Sequence, residues 1–232
     1  MRRKLEENWL RLIRFYTFNT PLSKGKYRLF QAALRFCKFP HDSLPSRSRD
    51  GRLFSVNLTT GMQEHVFFFG EYEKVLSRIA SALIRQGDIC IDVGANFGWY
   101  TTLMGLHCGP EGEVHAFEPV PLSYRELKKN HELSGSPYIY INELALGDRN
   151  GTVSINILDG EPTGHASIAS KGDSSFESFK CPMTTMAHYV ALDMTRNKVR
   201  KIERFADDDI GANVFCIPRG VSHVPISNLL EN

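Results

Sequence analysis

The chain has 232 residues, 42% of them hydrophobic, and a formal net charge of +2. That length supports one main globular domain with an appendage, and so near a balance of charge gives no reason to expect nucleic acid as a partner. The five cysteines, Cys37, Cys90, Cys108, Cys181 and Cys216, are scattered without the close pairs of zinc or redox sites. No apolar run reaches the roughly 18 residues of a membrane span, and Arg11 and Arg14 interrupt any signal-like segment, so the expectation is a reducing, cytoplasmic setting without a structural metal.

Leu5, Trp9, Leu12, Ile13 and Tyr16 recur at helical spacing among Arg2, Arg3, Lys4, Arg11 and Arg14, which predicts an amphipathic basic helix over residues 1–18. Two readings stay open for it: an element that meets a membrane surface or a partner, or a helix packed on its own domain. Pro21 ends it, and a second short helix follows over residues 26–37 around Tyr27, Phe30, Ala33 and Leu34. Residues 38–51, KFPHDSLPSRSRDG, read as linker or surface loop, which divides the chain into a helical extension, residues 1–49, and a main domain, residues 50–232. RLFSVNLTT alternates as a half-buried strand, EHVFFFG reads as its hairpin neighbour, and Tyr72 to Leu83 carries a helical apolar stripe that Gly87 would stop.

Next comes the most informative stretch, GDICIDVGANFGWYTT, residues 87–102. Ile89, Cys90, Ile91 and Val93 form a short apolar run like a buried parallel strand, Gly94 and Gly98 break it, and helix-compatible residues resume at Trp99. A strand, a glycine turn and a helix N-terminus bring bare backbone and free N–H groups to a ligand of nucleotide type. The turn holds Ala95-Asn96-Phe97 where a dinucleotide fingerprint wants glycine, and Asp92 would repel a pyrophosphate while suiting an ammonium. About 20 residues beyond Gly98 the strand stretch EVHAFEP presents Glu118, the distance at which an acid takes ribose hydroxyls. Ribose, amine and carboxylate together describe S-adenosylmethionine and argue against an NAD(P)-dependent oxidoreductase.

Pro119 and Pro121 then open a helix with Tyr124, Leu127 and Leu133 on its buried side, ending at Gly135. YIYIN and TVSINIL read as strands, and the polar stretch from Asp159 to Ser175 reads as a loop carrying His165. Another strand is expected in FESFKCPMTTMAHYV.

GEYE (Gly70 to Glu73), DVGANFGWYTT (Asp92 to Thr102), GEVHAFEPVP (Gly112 to Pro121) and ALGD (Ala145 to Asp148) occur in order, and together they resemble the FkbM family of S-adenosylmethionine-dependent methyltransferases over residues 50–188. The resemblance implies an α/β fold with a Rossmann-like, doubly wound methyltransferase sheet and S-adenosylmethionine as cofactor. It places Tyr72 and Glu73 beside the cofactor, Asp92 near its ammonium, and Glu118 on its ribose. Gly94, Ala95, Asn96 and Gly98 supply backbone contacts, and Ala145 and Leu146 face the adenine. The implied reaction is O-methylation of a hydroxyl on a sugar, polyketide or similar small molecule. His165, His188 and Asp193 are the candidate bases.

The chain departs from the family pattern in two places. Ala187 stands after Thr185-Met186 where an aspartate is usual, and the strand with an acidic segment that should follow is missing, as if the domain were shortened near residues 190–193. Loss of that block would open the edge of the sheet beside Ile89 to Val93, which keeps a second reading in view, a catalytically inactive protein that binds S-adenosylmethionine.

Overall fold

The computed structural model describes residues 2–20, 25–36, 43–59, 62–158, 176–186 and 188–189. The chain divides into two compact units, Met1–Glu73 and Lys74–Asn232. His165, Ala187 and Asp193, together with the loop and the shortened region read from the sequence, lie outside the described residues.

The first unit contains α1 (Arg2–Asn19), α2 (Lys26–Phe36), β1 (Leu44–Arg47), β2 (Leu53–Val56) and α3 (Gln63–Phe69). One face of α1 is held against α3. Leu10 and Thr17 are buried, and the Arg14 guanidinium donates to the carbonyl of Phe67 at 3.0 Å while lying over the Phe67 ring. Phe30 of α2 fills the space beside His65, Phe68 and Phe69 with edge-on ring contacts at 5.0, 5.5 and 5.2 Å.

Two sequence expectations are corrected here. EHVFFFG is not a strand, because Gln63–Phe69 is helical and ends at Gly70, whose left-handed backbone (φ 70°) lets its N–H reach the carbonyl of Val66. The Gln63 side chain also accepts the N–H of Asn57 at 2.8 Å, tying the start of α3 to the end of β2. The partner of β2 comes instead from the stretch read as linker: Leu44–Arg47 pairs with it antiparallel, Ser46 opposite Phe54. With β1 in this unit, the compact units part after Glu73. Pro45 is tolerated in a two-stranded ribbon because its missing N–H can face outward.

The second unit runs α4 (Lys74–Leu83), β3 (Ile89–Val93), α5 (Trp99–Cys108), β4 (Glu113–Phe117), α6 (Pro121–Ser134), β5 (Ile139–Asn142), β6 (Ala145–Leu146), β7 (Gly151–Leu158) and β8 (Phe176–Thr184). Strands β3, β4 and β5 form a parallel sheet in that order, with Asp92 opposite Ala116 and Ala116 opposite Ile141. The alternating β–α order with parallel pairing is the Rossmann-like arrangement the sequence implied. A second sheet, in the order β6–β8–β7, pairs β6 parallel and β7 antiparallel to β8.

Alternation along β4 decides what each face meets. Ala116 packs with Ala95 and Leu127 of α6. His115 and Phe117 point the other way, against Tyr189, whose hydroxyl lies 2.8 Å from His115 Nδ1 and whose ring meets Phe117 edge-on at 4.7 Å. Leu133, expected on the buried side of α6, is exposed; Asn130 is buried in that stripe instead. Among the described residues β3 pairs only with β4.

Candidate active site

At the C-terminal ends of β3 and β4 the chain turns on three residues with left-handed backbone: Gly94 (φ 78°), Asn96 (φ 50°) and Gly98 (φ 91°). The N–H groups of Gly94 and Ala95 donate to the carbonyl of Phe117 at 2.9 and 3.0 Å, which fastens the turn across the end of β4. Gly98 then starts α5, and a Cβ there would stand 2.8 Å from Cδ1 of Leu127. Only glycine therefore meets both the backbone angle and the closeness of α6.

Glu118, one residue past β4, is brought to the turn. Its Oε2 accepts the N–H of Asn96 at 2.6 Å and its Oε1 the N–H of Val120 at 2.8 Å. Burial pushes its pKa up to about 7, opposed by those two N–H donors and reinforced by the charge of Asp92. Each carboxylate oxygen has two lone pairs, so one on each is left for a ligand donor. A vicinal diol supplies two such donors.

Asp92 is also at the turn, buried at the end of β3. Its carboxylate accepts the Thr101 hydroxyl at 2.5 Å, and the Thr101 N–H bonds to it as well, so it anchors the first turn of α5. Burial raises its pKa to about 6 against the lowering effect of Thr101. A negative charge at a helix N-terminus is favoured by the exposed N–H dipoles.

The structure thus gathers Asp92, Gly94, Ala95, Asn96, Gly98 and Glu118 at one place. Ala145 is buried against Val120, two residues beyond Glu118, and Leu146 packs on the cluster of Ile91, Phe117 and Tyr189. Tyr72 and Glu73 belong to the first unit; burial and Glu73 push the Tyr72 phenol up to about 12. His188 is exposed, and its backbone N–H donates to Thr185 Oγ1 at 3.0 Å. Among the described residues no group of three His, Cys, Asp or Glu could hold a metal ion, and no helix is long and apolar enough to cross a membrane.

Asn130 is the residue that sequence reasoning missed. It is fully buried on α6, and its amide donates to the carbonyl of Phe97 in the turn at 2.7 Å. A clue was present, since an amide three residues after Leu127 interrupts the apolar stripe of the helix. Asn130→Ala should destabilise the domain by about 1–3 kcal/mol, the cost of removing a buried hydrogen bond, read from urea denaturation midpoints. An unchanged midpoint would show that the turn does not need this clamp.

Residues 92–208, about half of the chain, match the family model described as the methyltransferase FkbM domain. A 71-residue stretch is 35% identical to the 31-O-demethyl-FK506 methyltransferase FkbM of Streptomyces tacrolimicus, covering 29% of this chain and 25% of that protein. The chain therefore spans a quarter of the length of the curated relative it matches. Among solved structures, an S-adenosylmethionine-dependent O-methyltransferase from Thermotoga maritima aligns at 19% identity and a TM-score of 0.32, over 52% of this chain and 47% of its own. A protein-L-isoaspartate O-methyltransferase aligns at 12% identity and a TM-score of 0.26, over 59% and 41% of the two chains.

Proposed function

Because this chain belongs to the FkbM methyltransferase family, we propose that it binds S-adenosylmethionine at the turn from Gly94 to Gly98 and directs its methyl group to a hydroxyl of a sugar, polyketide or similar small molecule. The observation that carries the reading is the reach of Glu118 onto the Asn96 N–H at 2.6 Å, which sets a carboxylate with spare lone pairs on the rim of a glycine turn. The residues present fit the cofactor: a carboxylate for the ribose diol, backbone approach at Gly94 and Gly98, and a second acid, Asp92, at the start of α5 for the ammonium. For Ala145 and Leu146 at the adenine, and for Tyr72 and Glu73, the proposal rests on the family resemblance of their motifs alone. When bound, S-adenosylmethionine supplies a methyl group on a sulfonium that is already a good leaving group.

The protein's own task is then mainly positioning. Glu118 orients the ribose, and Asn130 and Leu127 keep the turn in one conformation through Phe97 and Gly98. An acceptor hydroxyl also needs a proton acceptor. His188 is the candidate base among the described residues, with His165 and Asp193 the others. A second reading, binding without turnover, rests on the sequence: the strand and acidic segment that the family pattern places after residue 188 are missing near residues 190–193.

The test is calorimetric titration of the folded chain with S-adenosylhomocysteine, followed by transfer of labelled methyl from S-adenosylmethionine to a panel of hydroxylated small molecules. Saturable binding with transfer is the expected result. Binding without transfer to any acceptor would favour the second reading, and a folded chain that binds nothing would overturn both.

A further inference from the structure

The first unit carries two apolar stripes on a single helix. The inner one, with Leu10 and Thr17, is buried, and the Thr17 hydroxyl donates to the carbonyl of Phe68 in α3. The outer one is Trp9, Leu12 and Phe15, at 61, 60 and 67% exposure and spaced three residues apart, so the three side chains lie along one side of α1. Through the first stripe the helix meets its own unit, and the second is exposed among the described residues. On α2, Tyr27 and Leu29 are exposed as well.

Charge identifies what would cover this face. Residues 1–36 hold nine Lys and Arg against two Glu, a net of +7, whereas the whole chain nets only +2. Among the described side chains of α1 and α2 there is no acid, and Arg11, Arg28 and Arg35 are exposed. Two copies meeting face to face would bring nine cations from each together with only Glu6 and Glu7 from each to answer them, which argues against self-association. Aromatic and leucine side chains on a segment with a net charge of +7 match the boundary between headgroups and acyl chains of an anionic bilayer.

We propose that α1, through Trp9, Leu12 and Phe15 and the surrounding cations, docks this chain on the surface of a membrane rich in anionic lipid. The helix lies in the interface plane. Trp9 is a ready reporter, since the only other tryptophan, Trp99, is buried at 4% exposure.

The experiment mixes the full chain with vesicles of phosphatidylcholine alone or with about 30% phosphatidylglycerol, and follows co-sedimentation and tryptophan emission. The expected result is binding at least about tenfold tighter to the anionic vesicles, a blue shift of Trp9, and release by salt. Leu12→Ser/Phe15→Ser, at exposed positions and with Trp9 retained, should melt like the parent and lose both binding and shift. Four results would overturn the proposal: no binding to anionic vesicles, equal binding to neutral ones, a variant that still binds, or a dimer of the parent that the variant abolishes.

Discussion

Glu118→Ala is expected to weaken S-adenosylhomocysteine binding by a factor of roughly 100 to 10,000. In the proposed binding mode the variant removes the carboxylate that accepts from two ribose hydroxyls, each hydrogen bond worth about 1.5–3 kcal/mol in a buried setting. It also leaves the N–H groups of Asn96 and Val120 without their acceptor, so the turn loses its shape along with its ligand. The role of charge is separated by pH. Burial holds the Glu118 carboxyl at about 7 and Asp92 at about 6, so part of each is protonated in the free protein just below neutrality. Ligand hydroxyls and an ammonium favour the ionised forms, so affinity should rise from pH 5.5 to about 7.5, and Glu118→Gln should flatten the upper part of that rise. Stability of the free protein should move the opposite way. Between the ordinary value of 4.5 and the folded value of about 7, Glu118 binds more proton in the folded state than in the unfolded one. Melting temperature should therefore fall with rising pH across that window and level off above it. An affinity that ignores pH in the parent, or survives Glu118→Ala, would remove Glu118 from the ribose.

What the sequence made legible was local. The run from Ile89 to Val93, two glycines four apart and an acid at Glu118 are each readable without knowing what lies opposite, and the structure joins them as β3, the turn and the end of β4. The failures share one cause, which is dependence on distant partners. Val66 to Phe69 is apolar at every position, so no period distinguishes strand from helix; Gly70 and the reach of Gln63 to Asn57 decide it. Leu44–Arg47 is short, holds a proline and an arginine, and becomes a strand only because β2 lies beside it. The same holds at the site. Asn130 is 33 positions from Phe97, and only the packing of α6 on the turn shows why an amide sits in an apolar stripe. On α1 the stripe built on Trp9 and Leu12 was legible as amphipathic, but not that it would face outward while Leu10 and Thr17 turned in.

Gly98→Ala is the second large effect, with an expected loss of about 2–5 kcal/mol of folding stability and of most ligand affinity. Two costs add. An L-residue at φ 91° loses about 1–2 kcal/mol to the clash of Cβ with its own backbone. The new methyl would also stand 2.8 Å from Leu127 Cδ1, whose side chain is fully buried, so overpacking contributes about 1–3 kcal/mol more. Gly135→Ala isolates the first cost, because that residue has φ 62° with nothing within 4 Å of its Cβ. Urea denaturation of the two variants should differ by the packing part alone, and Leu127→Ala combined with Gly98→Ala should recover some of it while adding its own cavity cost. Since a domain of this kind is stable by only about 5–15 kcal/mol, Gly98→Ala takes a large share of the total. If it cost no more than Gly135→Ala, α6 would not be clamping the turn, and the preorganisation assigned to Leu127 and Asn130 would fall with it.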